Sequence, residues 1–259
     1  MILIAENLNS SIPFVQKALA ARDEAALSEI IHQLDACPAD YLDLNAGVFH
    51  DSEADVLAWL IRLVRRHSSK PLVLDSPDPS VLRTALPLAG PGLLINSITL
   101  EPRRYQAVLS LAKESSAGLI ALLMHEERMP QGVEERLEIA ERLLNGLQQA
   151  GVAMDRVFLD PMIRPVATDD QAGLEGLTTI KALRQRFPAA HVVIGLSNVS
   201  FGLPARRYLN RAFLLQGMAC GLDSAILNPL DKELLALWRA GLVLAGEDEY
   251  CQSYLEHYR

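Results

Sequence analysis

The chain has 259 residues, half of them hydrophobic and 22% charged, which excludes a disordered or collagen-like polymer. With 24 Lys and Arg against 32 Asp and Glu the formal net charge is −8, which argues against a strongly basic nucleic-acid binder. The length suits one α/β domain over 1–259, and a barrel of about 250 residues is the natural size match.

Chain order shows a repeating unit: an apolar, β-rich run that ends in a polar residue and leads into a helical stretch. MILIAEN at 1–7 comes first, without the basic start and long apolar stretch of a secretory signal. A helix carrying Ala26, Ile30 and Leu34 follows, with Asp23 as its cap. DYLDLN at 40–45 precedes Ser52 and Asp55, spaced as a capping box for a helix with Val56, Leu57, Leu60 and Val64. Arg62, Arg65, Arg66 and Lys70 read as its solvated end. PLVLDS at 71–76, GLLINS at 92–97 and AGLIALLMH at 117–125 continue the series. Val133, Leu137, Ala140, Leu144 and Leu147 then form one stripe of a helix over 133–147, with Gly151 placed to stop it. RVFLDP at 156–161, HVVIGLSN at 191–198 and DSAILNP at 223–229 complete eight runs. No linker or low-complexity tract interrupts them.

Continuous apolar runs are strands buried on both faces, and alternation with helices implies parallel pairing. Eight such units predict a (β/α)8 TIM barrel, with an open doubly wound sheet as the alternative. A Gly-rich turn of GxGxxG type is missing after the first run, which weakens a dinucleotide-binding reading. Cys37, Cys220 and Cys251 lack the paired spacing of a disulfide framework or a zinc site. No apolar run approaches the roughly 20 residues that span a bilayer, so a cytoplasmic protein without membrane or nucleic-acid partners is expected.

Barrel chemistry sits at the C-terminal ends of the strands. Those ends carry Glu6, Asn7 and Asn9; Asp43 and Asn45; Asp75 and Ser76; Asn96 and Ser97; His125; Asp160; Ser197 and Asn198; and Asn228. Asp and Asn also favour such turns for local reasons. Asp43, which precedes another strand residue, is expected to serve a turn or face a wall. Recurrence at eight ends is harder to explain by turns. The ring has no strand-end Lys for Schiff-base chemistry, one His rather than a convergent metal set, and no GxSxG nucleophile elbow. What remains is recognition of a flat heterocycle. A carboxylate accepts two N–H bonds from an aminopyrimidinone edge, and an Asn amide serves carbonyl and ring nitrogens.

ENLN at 6–9, LDLNAG at 42–47, LDSP at 74–77, INS at 95–97, LDP at 159–161, GLSNVSFGLP at 195–204 and MACGLDSAILNP at 218–229 occur in this order. Together they resemble the pterin-binding methyltransferases, which include methyltetrahydrofolate:corrinoid protein methyltransferases and the folate domain of cobalamin-dependent methionine synthase. The resemblance runs from residue 3 to about 240. It implies a (β/α)8 barrel with tetrahydrofolate or 5-methyltetrahydrofolate at its mouth, a corrinoid (free cobalamin or a corrinoid protein) as methyl partner, no protein-bound metal, and a homodimer. By residue, it implies that Asp75, Asn96 and Asp160 hold the pterin and that Asn198 is the catalytic group near N5. Gly195, Ser197 and Arg206 would line the folate. Glu6, Asn9, Asn45, Ser97, Met124, His125 and Asn228 are further candidates. His125 stands where an Asn is common, and Arg164 where an apolar residue is common. Arg206 and Arg207 form a pair, so positive groups near the mouth could meet a glutamate tail or an acidic carrier. Dihydropteroate synthases share the barrel but normally carry a Lys- and Arg-bearing motif on the seventh strand and an Arg with a His on the eighth. Here GLSNVS and LNP stand there. A non-catalytic pterin carrier would keep Asp75, Asn96 and Asp160 but need not keep Asn198.

Overall fold

The protein is described by a computed structural model over residues 1–125 and 128–259. Strands form where the apolar runs were read: β1 Ile2–Asn9, β2 Tyr41–Asn45, β3 Leu72–Asp75, β4 Leu94–Ile98, β5 Gly118–Leu122, β6 Val157–Asp160, β7 His191–Gly195 and β8 Ser224–Leu227. They close into a barrel in chain order, and β8 pairs in parallel with β1 from Ile2↔Ser224 to Ala5↔Leu227. The open-sheet alternative is thereby excluded.

Helices follow the strands: α1 Pro13–Ala20, α2 Glu24–Ala36, α3 Glu53–His67, α4 Pro79–Ala89, α5 Pro102–Ser115, α6 Gly132–Gln149, α7 Ala172–Arg186, α8 Arg206–Ala219, α9 Lys232–Leu244 and α10 Gln252–Tyr258. None among the described residues is long and apolar enough to cross a membrane.

Strand side chains alternate between two faces, so each strand serves two cores. One set, including Leu3, Leu42, Leu74, Ile95, Leu159 and Ile194, packs outward under the helices in the larger core. The other set, Ile4, Val73, Leu94, Ile120, Phe158 and Val193, fills the barrel interior. Burying such a side chain contributes about 1.5–3 kcal/mol, so both sets specify strand register. The same alternation carries the polar ring: two residues beyond Ile4, Val73, Leu94, Phe158 and Val193 lie Glu6, Asp75, Asn96, Asp160 and Gly195, while Ile120 is followed at that step by the apolar Leu122.

Several local expectations need adjustment. Asp23 caps α2 by accepting from the Ala26 N–H at 3.0 Å, but the buried stripe is Leu27, Ile31 and Leu34, while Ala26 and Ile30 are half-buried. The capping box at α3 does not form. Ser52 donates its hydroxyl to the Phe49 carbonyl at 3.1 Å, and Asp55 pairs with Arg22. The basic end of α3 is not simply solvated either. Arg65 donates to the carbonyls of Ala89 and Lys70, and Lys70 donates to those of Cys37 and Ala39, tying together the loops at the N-terminal end of the barrel. Gly151 behaves as expected after α6: its φ is +82°, and the Val152 N–H closes onto the Leu147 carbonyl at 3.0 Å.

Candidate active site at the barrel mouth

Asn45, Asp75 and Asn96 end three consecutive strands and stand in register, Asn45↔Asp75 and Asp75↔Asn96. Asn45 donates its amide to one Asp75 oxygen at 2.9 Å, and its own carbonyl oxygen accepts from Ser10 at 2.8 Å and from the Gly47 N–H at 3.0 Å. These bonds fix the amide orientation and leave the second Asp75 oxygen without a partner among the described residues. The Asn96 side chain is likewise unengaged there. Asp160, at the end of β6, accepts the Met162 N–H at 2.8 Å through one oxygen. Its other oxygen has no partner among the described residues. Burial pushes the Asp75 carboxyl up to about 6, against the Asn45 hydrogen bond and the Arg104 charge that pull it down. Burial likewise pushes Asp160 up to about 6, against the Met162 N–H.

On the opposite rim, β7 runs into a tight 3-10 turn, Leu196–Asn198. Asn198 is exposed, and its amide lies back over Gly195: a Cβ at Gly195 would stand 3.0 Å from the Asn198 Nδ2. Ser197 donates to Glu6 at 2.8 Å, and Arg206 donates to the Ser197 carbonyl at 2.6 Å and to the Ser200 hydroxyl at 3.1 Å. This chain of bonds fastens the turn to β1 and to α8. Burial raises the Glu6 pKa, opposed by the Ser197 hydroxyl and the Arg206 charge. Glu6, Ser197, Arg206, Arg207, Asn228 and Asp231 line an adjoining cavity of about 240 Å³.

The remaining candidates are placed less centrally. Asn228 accepts from Asn7 at 2.8 Å and from the Leu230 N–H at 3.0 Å, and Asn9 accepts from the Ser11 N–H at 2.9 Å, so both shape their own turns. Ser97 is buried, and its hydroxyl accepts from Arg104 at 3.4 Å. Met124 is half-buried, its N–H bonded to the Leu122 carbonyl at 3.0 Å. His125 places Nε2 2.9 Å from Glu135, which also binds Arg128 bidentately. Arg164 pairs with Asp169 at 2.8 Å and Glu175 at 3.2 Å, and Arg207 lies over the Tyr208 ring at 4.6 Å. Arg164 is thus engaged within the chain, while the Arg206 and Arg207 side chains border the cavity.

Asp43 departs from the turn-or-wall expectation. It shares the inward parity of Tyr41 and Asn45, is 2% exposed, and its Oδ1 has no partner among the described residues. Burial, then the charges of Asp75 and Glu6, raise its pKa well above the ordinary range, and its place is one inward step below the ring. Period-two parity counted back from Asn45 could have placed it. Arg104 was not a sequence candidate at all, yet its guanidinium reaches the β3 and β4 ends and faces Asp75.

The family described as pterin binding enzyme matches residues 13–228. The chain belongs to this family. Over its whole length this pterin-binding chain is 32% identical to the methylcorrinoid:tetrahydrofolate methyltransferase of Eubacterium limosum, covering 96% of that protein. It is 33% identical to methionine synthase of Mycobacterium tuberculosis over 86% of the chain, which spans 20% of that longer enzyme. Solved structures of the same fold include the dihydropteroate synthases of Yersinia pestis, at a TM-score of 0.72, 16% identity and coverage of 95% of this chain and 94% of that one. The Burkholderia cenocepacia enzyme gives a TM-score of 0.69 at 23% identity, covering 95% of this chain and 94% of that one. At these identities the two likenesses concern the barrel alone.

Proposed function

We propose that this pterin-binding enzyme is a methyltransferase that moves a methyl group between N5 of tetrahydrofolate and the cobalt of a corrinoid. One observation carries the reading: Asp75, Asn96 and Asp160 end strands at one mouth with hydrogen-bonding capacity left over, while the Asn198 amide on the facing rim has no hydrogen-bond partner among the described residues. The two carboxylates suit the N–H groups of an aminopyrimidinone edge, and the Asn96 amide its carbonyl and ring nitrogen. The names of the full-length relative and of the methionine synthases support the methyl chemistry, and the former favours tetrahydrofolate as acceptor.

As second substrate, the corrinoid supplies the metal that receives or releases the methyl group. The chain's residues hold and orient the pterin. N5 leaves well only when it gains positive charge, so a donor and acceptor set at N5 lowers the barrier by favouring its protonated form. An amide does not titrate, so Asn198 orients and stabilises rather than giving up a proton. No protein nucleophile is required, which agrees with a ring of carboxylates and amides. The strand ends GLSNVS and LNP favour methyl transfer over dihydropteroate synthesis. A corrinoid protein as carrier, a homodimeric assembly and a cytoplasmic location belong to the same proposal, on the strength of the family likeness.

The test is the visible spectrum of methylcobalamin mixed anaerobically with the protein and tetrahydrofolate. Demethylation that depends on both is expected. An unchanged spectrum with free cobalamin and with a methylated corrinoid protein, while calorimetry still reports folate binding, would reject the enzyme in favour of a carrier.

A further inference from the structure

Arg104 occupies the first turn of α5, outside the ring of strand ends. Its side chain runs back to the barrel. Nε donates to the Ser97 carbonyl at 3.0 Å, Nη2 to the Ser76 carbonyl at 3.0 Å and to the Ser97 hydroxyl at 3.4 Å, and Nη1 to the Pro77 carbonyl. Ser76 directly follows Asp75, and Ser97 directly follows Asn96. The same two segments are joined once more, by the Ser76 N–H to the Asn96 carbonyl at 3.1 Å. A planar fork of donors can span several carbonyls at once, which a single ammonium cannot.

The titratable groups around this fork are mostly acidic. Asp75 is faced by Glu53 at the start of α3, by Asp43 from β2, and by Arg104 from α5, with Asn45 as its neutral hydrogen-bond donor. Arg104 in turn is faced by Asp75, Glu101 and Asp78. The Glu101 carboxylate caps α5 through the N–H groups of Arg103 and Arg104, and the Asp78 carboxylate caps α4 through the Ser80 N–H. Arg103 also faces Glu101, and among the described residues Arg104 is the cation that faces Asp75.

We propose that Arg104 is a positioning residue of the pterin pocket. It locks the backbone after Asp75 to the backbone after Asn96, and it supplies the positive charge that lets Asp75 meet the ligand as a carboxylate. The proposal rests on the pterin reading above and adds a specific device to it. A plain structural staple would also hold the loops but would leave the pH dependence of ligand binding untouched.

Calorimetric titration of the full chain with tetrahydrofolate, from pH 5.5 to 8.5, tests the idea with Arg104→Gln and Arg104→Lys. For the wild type, affinity declines as pH falls through about 6. Arg104→Gln removes an opposite charge and moves that midpoint up by about one pH unit, which reads as about fivefold weaker binding at pH 6 beyond the loss remaining at pH 8.5. Arg104→Lys keeps the wild-type midpoint yet binds about tenfold more weakly at pH 8.5, because the fork of charge-assisted bonds is gone. The lysine variant carries the test alone if the glutamine variant does not fold. Wild-type affinity and midpoint in both variants overturn the proposal, as does a loss in Arg104→Gln that is equal at every pH. Absence of binding by the wild type overturns the pterin reading itself, and the proposal with it.

Discussion

Replacing Asp160 by Asn should stabilise the unliganded protein at neutral pH while weakening its hold on folate. The Asp160 side chain is 7% exposed, and its carboxyl is raised from the ordinary 3.8 to about 6. That rise corresponds to about 3 kcal/mol of preference for the neutral form in the folded state. Because the folded value lies above the unfolded one, this stabilisation is complete below pH 3.8, declines as pH rises, and is gone above pH 6. Asn keeps the acceptor that binds the Met162 N–H but carries no charge at any pH. The stability difference between variant and wild type should therefore grow in the variant's favour by about 2 kcal/mol between pH 4.5 and 7.5. For a chain of this size that is about 4–8 °C in Tm. Denaturant melts of both proteins at the two pH values isolate the effect, since a constant cost of the new amide cancels in the comparison. A difference that stays flat with pH, or moves against the variant as pH rises, would refute the assignment of a buried, ionisable Asp160.

Asn198→Ala is expected to lower methyl transfer about a hundredfold with little change in folate affinity, because an exposed amide acting at N5 matters in the transition state; equal losses in rate and affinity in stopped-flow and calorimetry would make it a plain binding residue. Gly195→Ala should mimic part of this defect, since the new methyl stands 3.0 Å from the Asn198 amide and displaces it; an unchanged rate constant would show that the amide's seat is unimportant. Folate affinity should fall as pH drops below about 6, where Asp75 and Asp160 take up protons and lose their acceptor pairs, and binding at pH 6 should release protons measurable as a buffer-dependent heat. An affinity constant from pH 5 to 8 would contradict that.

Much of the architecture was legible because barrel strands are buried on both faces and therefore read as unbroken apolar runs. The ring was legible for the same reason: Asp75 lies two beyond Val73, and Asp160 two beyond Phe158, so the first polar inward residue marks the mouth. Asp43 is harder to place, because Asn45 follows it as the last polar residue of β2 and only parity with Tyr41 and Asn45 marks it as inward. Arg104 left no signature, since its partners are mainly backbone carbonyls, and a charge in the first turn of a helix looks like any solvated one. Arg65 and Lys70 misled in the same way, and Ser52 had the right spacing but found the Phe49 carbonyl instead.

The division of each strand between two cores has an evolutionary reading. Side chains that keep the barrel standing against its helices occupy one parity, and side chains that choose a ligand occupy the other, at the last inward step. Glu6, Asp75, Asn96 and Asp160 can therefore be exchanged without repacking any helix. A scaffold arranged in this way can take a new guest while its walls stay the same, and its chemistry can diverge faster than its shape.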